Sequence, residues 1–208
     1  IKIIASNSLD EDSIRSLIFE QKAPIDSFGV GENLITSADC PVLGGVYKLT
    51  ALNRENIWDA TSANGWTPRM KCSDSEEKAI IPGKKDIYRV YDEDGKASTD
   101  IIAMSTQEIV PGKEITVYST DLTDTKKEYK IKPMNIKPLL VPIIVDGKLV
   151  YDFPSVKEIK EYVKDQLENK AWESELRSSN PHTHYVDMTE EVYNTRKNLY
   201  HTLHELHS

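Results

Sequence analysis

At 208 residues with a formal net charge of −8, the chain is long enough to bury a core in one large domain or two small ones. The acidic balance argues against a nucleic-acid or anionic-membrane surface, since both need clustered Lys and Arg. No apolar run approaches the roughly 20 residues of a membrane-spanning helix, and the two cysteines, Cys40 and Cys72, are isolated, without metal-ligand spacing, and read as reduced thiols of a cytoplasmic protein.

The chain opens without methionine, directly inside the apolar run Ile1 to Ala5, so it reads as a segment whose true start lies upstream. Such a continuous run predicts a strand covered on both faces. Ser6-Asn7-Ser8 then offer caps to a helix in which Ile14, Leu17 and Ile18 share one face and Asp10, Glu11 and Asp12 fill the first turn. That helix must stop before Pro24. A second strand, Ile25 to Val30, leads into Phe28-Gly29-Val30-Gly31-Glu32-Asn33-Leu34, a glycine turn where backbone can approach a ligand without intervening side chains. Residues 1–34 thus form a strand–helix–strand unit, the repeating element of a parallel sheet or barrel. Two strands cannot close a barrel, so the remaining strands are expected upstream.

After Gly44-Gly45, read as a turn or bulge with a second close backbone approach as the other possibility, the pattern from Val46-Tyr47-Lys48-Leu49 onward is that of antiparallel β. The stretch from Asn53 to Lys85 is polar and without period, a long excursion. Asp86 to Tyr91 alternates, turns at Asp92-Glu93-Asp94-Gly95 and resumes over Asp100 to Met104. Pro111-Gly112 marks another turn, and Leu139 to Val145 faces Lys148 to Tyr151 across Asp146-Gly147, the strongest local hairpin signal. Ser155 and Glu158 form a capping box ahead of a helix predicted to run to about Arg177, with Val156, Ile159, Val163 and Leu167 as its stripe. Ser178-Ser179-Asn180-Pro181 breaks it. Thr189 can cap a last helix, whose Val192, Leu199, Leu203 and Leu206 recur at packing spacing. The expected organisation is therefore 1–45 as the end of an α/β unit, 46–152 as a mostly antiparallel β region and 153–208 as a helical segment.

Ligands of parallel barrels collect at the C-terminal ends of the strands, and a phosphate site is often built from the last two strand–helix loops. Ser6 and Asn7 after the first strand, and Gly29, Val30 and Gly31 after the second, occupy the matching positions. A dianionic phosphate there would be held by backbone N–H groups, by the Ser6 hydroxyl or the Asn7 amide, and by the start of the following helix. Simple helix capping is the other reading of Ser6 and Asn7. His182 and His184 alternate on an extended segment, and His201, His204 and His207 sit three apart on a helix end. Without carboxylates at matching spacing, the latter read as a solvated terminus and no metal site is assigned. Pro82-Gly83-Lys84-Lys85 reads either as a loop reaching toward a pyrophosphate or as a turn with two solvated lysines partnered by the acidic run Asp74 to Glu77.

In order and spacing, several segments together resemble the C-terminal part of the nicotinate phosphoribosyltransferases. They are the two loops above, Pro82-Gly83-Lys84-Lys85, Tyr88-Arg89-Val90 with Asp94-Gly95-Lys96, Leu140-Val141-Pro142 with Asp146-Gly147-Lys148, Leu176-Arg177, Asn180-Pro181-His182 and Tyr185-Val186-Asp187. The resemblance implies an α/β fold with an α+β appendage: the last strands of an irregular type II phosphoribosyltransferase α/β barrel, then an antiparallel β region and C-terminal helices. It implies nicotinate mononucleotide formation from nicotinate and phosphoribosyl pyrophosphate in NAD biosynthesis. It also implies ATP and Mg2+ as cofactors, a phosphohistidine, and a homodimer whose catalytic and base-binding residues lie upstream of Ile1 in the same chain. Where a small hydroxyl residue is expected after Gly-Val-Gly, the sequence has Glu32. A nicotinamide- or quinolinate-specific relative, and a stand-alone anion-binding β-rich module, are the alternative readings.

Overall fold

The computed structural model describes residues 1–37, 41–42, 44–53, 65–71, 79–120, 128–177 and 179–207, with the side chains of 206 and 207 excepted. The expectations for Cys40, Cys72, Asp74 to Glu77 and Ser178, and for the Leu206 and His207 side chains, lie outside the described residues. The chain forms two compact units, 1–47 and 48–208.

In the first unit, β1 (Ile4–Ser6) leads to α1 (Glu11–Arg15), which widens into a π-helical turn over Ser16–Glu20. The cap of α1 is Asp10, not Ser6, Asn7 or Ser8: its carboxylate accepts the Ser13 N–H at 2.8 Å and the Ser13 hydroxyl group returns to the Asp10 backbone at 2.9 Å. The Ser13 backbone N–H, and after it the Ser13 side chain, hold the Asp10 carboxyl below its ordinary range. β2 (Ser27–Gly29) pairs parallel with β1, and α2 (Glu32–Ile35) follows at once. The faces expected to be covered are open within this chain, and Ile4 is 67% exposed. No strand forms at Val46 to Leu49; the chain is irregular there and the next strand starts at Ala51.

The second unit begins with the antiparallel pair β3 (Ala51–Asn53) and β4 (Trp66–Pro68), which gives structure to part of the polar excursion. Its centre is a six-stranded sheet of β5 (Lys85–Tyr91), β6 (Ala97–Met104), β7 (Ile115–Ser119), β8 (Glu128–Ile131), β9 (Asn135–Pro138) and a later strand, β12 (Val186–Thr189), in the order β8-β7-β12-β6-β5-β9. Between them run the short hairpin β10 (Ile144–Val145) and β11 (Lys148–Leu149), and α3 (Val156–Asp165) with a π-helical turn over Gln166–Lys170. α4 (Glu190–His207) ends the chain.

Two expectations need correction. Within 46–152 every strand pair is antiparallel, as expected, but the six-stranded sheet as a whole is mixed, because β12 runs parallel to β6 while pairing antiparallel with β7. That strand falls inside the segment expected to be helical: Val186 to Thr189 shows alternation only if the interior accepts an aspartate at position 187. The helix expected to reach Arg177 stops at Lys170, where Ala171 turns extended with ψ 149. Its capping box forms as the spacing predicts, with Ser155 and Glu158 bonded reciprocally.

Period-2 alternation sorts the sheet into two faces. Val90, Ile101 and Val117 pack on one, flanked by Ile115, Tyr129 and Ile131. Met104 and Met188 face the other, where α4 covers them with Val192 and Tyr193 stacks on Tyr118 at 4.1 Å. The lysine loop folds back on itself: Lys85 Nζ donates to the carbonyls of Ile81 at 2.8 Å and Gly83 at 2.7 Å, and burial lowers its pKa to about 8. Lys84 is exposed and sits over the Trp66 ring at 4.9 Å, so of the two lysines that one reading left solvated, only Lys85 is drawn inward. Gly83 has φ +99, and a Cβ placed there would lie 2.6 Å from Met104 Sδ. Gly83→Ala is therefore expected to destabilise the protein by about 1–3 kcal/mol, read as a lower urea midpoint at unchanged slope.

Candidate functional site

Parallel pairing makes the candidate phosphate loops neighbours. Because β1 and β2 run the same way, their C-terminal ends lie at one edge, with Ser6 paired to Gly29 in the ladder. A Cβ on Gly29 would approach Ser6 Cβ to 3.3 Å, so glycine permits this closeness. Beyond β1 the backbone turns through Asn7, φ 90, and Ser8, φ 48, a conformation that asparagine tolerates better than most residues. The Asn33 amide then donates to the Leu9 carbonyl at 3.2 Å, tying α2 to the turn after β1.

Gly31 caps α2 from outside, its carbonyl accepting the Leu34 and Ile35 N–H groups at 3.2 Å. A Cβ built on Gly31 meets no atom within 4 Å, so nothing in the packing of this unit requires glycine there. Val30 is half-buried between the two glycines, while Glu32 is exposed in the first turn of α2. The structure thus brings Ser6, Asn7, Gly29, Val30 and Gly31 to one edge of a two-stranded sheet and removes the capping explanation for the first two.

The second unit holds a charged cluster that sequence reasoning missed. Arg89 on β5 grips Asp100 on β6 through two hydrogen bonds of 2.8 Å, a bidentate pair. His184 lies beside it, with Nε2 3.5 Å from Asp100 Oδ1 and Nδ1 2.8 Å from Glu175 Oε1. Burial alone would raise the Glu175 carboxyl, but the Trp172 N–H and the His184 ring outweigh it and hold it below its ordinary range. A carboxyl depressed in the folded state contributes stability above its unfolded value, 4.5, and loses that contribution as pH falls through the folded value. Thermal midpoints measured from about pH 6 down to about pH 3 are expected to fall less steeply for Glu175→Gln than for the parent.

Register explains why the Arg89 and Asp100 pair escaped notice. The turn closes with the Asp92 N–H on the Lys96 carbonyl and Tyr91 opposite Ala97, but the ladder shifts between Val90 and Tyr91, which sets Arg89 against Asp100. Counting outward from the turn without that bulge places Thr99 there instead. Asp187 is a second omission: 1% exposed, its Oδ2 accepts the Thr99 hydroxyl at 2.5 Å and the Tyr129 hydroxyl as well.

Comparison with known proteins completes the assignment. The fold of the chain matches the crystal structure of human nicotinic acid phosphoribosyltransferase with a TM-score of 0.68 at 21% identity, over 96% of this chain and 33% of that one. Residues 84–196 match the nicotinate phosphoribosyltransferase C-terminal domain. The chain belongs to the nicotinate phosphoribosyltransferase family, with the C-terminal part of which it aligns. Among relatives, the nicotinate phosphoribosyltransferase of Bacillus subtilis (strain 168) is 33% identical over 96% of this chain, and that of Dictyostelium discoideum 31% identical over 95%. The match takes up 39% and 32% of those two proteins, so the chain spans about a third of their length.

Proposed function

We propose that the chain supplies the 5′-phosphate loop of an enzyme that joins nicotinate to phosphoribosyl pyrophosphate, forming nicotinate mononucleotide for NAD biosynthesis. The observation that carries this reading is the parallel pairing that puts Ser6 beside Gly29 and leaves open space over Gly31. Backbone N–H groups at 29–31, the Ser6 hydroxyl and the Asn7 amide are neutral donors, which suits a dianionic phosphate that must be bound and later released. These residues orient the ribosyl substrate; they transfer no proton and form no bond to it.

ATP and Mg2+ enter this proposal through the family alone. Among the described residues no group of three His, Cys, Asp or Glu side chains could hold a metal ion, so no metal ligand is assigned to this chain and no step is routed through the ion. The proposal includes a cytoplasmic homodimer; among the described residues no helix is long and apolar enough to cross a membrane.

The test is turnover. The full-length protein is expected to form nicotinate mononucleotide from nicotinate and phosphoribosyl pyrophosphate, with ATP hydrolysed in parallel, and to discriminate against nicotinamide and quinolinate. Residues 1–208 alone are expected to show none, because the groups that activate the base lie elsewhere in the proposal. Preference for either other base would overturn the substrate assignment, and turnover by the isolated chain would overturn the division of labour.

A further inference from the structure

The second unit carries a cleft of about 960 Å3 along the segment that leads into β12. Its floor is the end of β7 with Tyr185 and Val186, and its described wall is Ser174, Arg177 and residues 180–184. The wall is fixed by backbone: the His182 N–H donates to the Ser174 carbonyl at 2.9 Å, and the Thr120 hydroxyl to the Val186 carbonyl at 2.6 Å. The concavity is therefore built, and it falls in the size range of small-molecule sites.

Its chemistry runs against the character of the chain. In a protein with 34 acidic and 26 basic residues, the described lining includes Arg177, His182 and His184 and no carboxylate. Among the described residues Arg177 makes no ion pair, whereas Arg89 is locked to Asp100. Ser174, Thr183 and Asn180 line the same cleft, so a guanidinium fork, an imidazole and neutral donors border one space. That donor set suits a phosphoryl group, for which guanidinium geometry is matched.

A phosphate alone would leave most of 960 Å3 unfilled. The remainder is bounded by an aromatic corner in which His182 stands edge-on to Tyr185, 4.7 Å between ring centres and 64° between planes, with Tyr185 51% exposed. Exposed ring faces beside a cationic group are what a planar base stacks on. We infer that this cleft binds a nucleoside phosphate, with Arg177 and His182 on the phosphoryl end and Tyr185 against the base. The inference does not depend on the reaction proposed for the loops at Ser6 and Gly31.

Hydrogen exchange on the full-length protein tests the inference, with ADP as probe and inorganic phosphate as control. ADP is expected to slow exchange in peptides spanning 174–186, and phosphate at equal concentration to do so much less. Arg177→Ala is expected to weaken that protection about tenfold in ADP concentration, consistent with a lost charged hydrogen bond, and Arg177→Lys to restore part of it, while both keep the parent KM for phosphoribosyl pyrophosphate. ADP protection confined to other regions, equal protection in Arg177→Ala, or phosphate acting as well as ADP would each overturn it. Absence of nicotinate mononucleotide formation would leave this result untouched, so the two proposals fail separately.

Discussion

Replacing Asn7 by glycine or Gly31 by alanine in the full-length enzyme is expected to raise KM for phosphoribosyl pyrophosphate about tenfold or more, the scale of one lost hydrogen bond to a charged group. The two substitutions are chosen because no packing contact needs the residues they remove. Asn7 sits at φ 90, a conformation glycine adopts freely, so Asn7→Gly deletes the amide without adding backbone strain. Asn7→Ala would confuse the two effects. The methyl of Gly31→Ala meets no protein atom within 4 Å, so any obstruction it causes falls on the ligand. Both variants are expected to keep the parent urea midpoint, and Gly31→Ala to leave KM for nicotinate unchanged. A parent-like KM for phosphoribosyl pyrophosphate in both would move the phosphate elsewhere.

This edge was legible because it is local. A short apolar strand, a helix and a second strand ending in Gly-Val-Gly are patterns of fewer than ten residues each, and parallel pairing follows from the crossover between them. The hairpin of β5 and β6 and the capping box at Ser155 were readable for the same reason. What stayed hidden depends on distant partners. β12 pairs with β6 and β7 across some 70 to 90 residues, and its inward Asp187 contradicts the apolar alternation by which strands are recognised. Ser6 and Asn7 look like caps until Asp10 takes the role with Ser13, a competition between adjacent polar residues that composition cannot decide. The Arg89 and Asp100 pair waited on a one-residue shift in register, and the cleft beside Tyr185 on a strand that was not foreseen.

Asp187→Ala is expected to be the most destabilising single change in the sheet, by about 3–5 kcal/mol. The carboxylate sits at the middle of β12 between two neighbouring strands, on the face that also carries Ile101 and Val117, and it is almost fully buried. Truncation leaves a cavity the size of a carboxyl group there and removes the acceptor on which the Thr99 and Tyr129 hydroxyls converge. Each hydrogen bond to a charged acceptor is worth about 1.5–3 kcal/mol, and the Tyr185 carbonyl, 3.2 Å from the Thr99 hydroxyl, replaces the lost carboxylate with a neutral acceptor. Asp187→Asn keeps the shape and one oxygen acceptor, so about half the loss is expected. Thr99→Val in the Asp187→Ala background should then cost little beyond the first change, because the two side chains share one interaction and their effects do not add. Urea unfolding of the four proteins in that cycle decides the matter: additive losses would mean that Asp187 stabilises the sheet through something other than the hydroxyls it accepts.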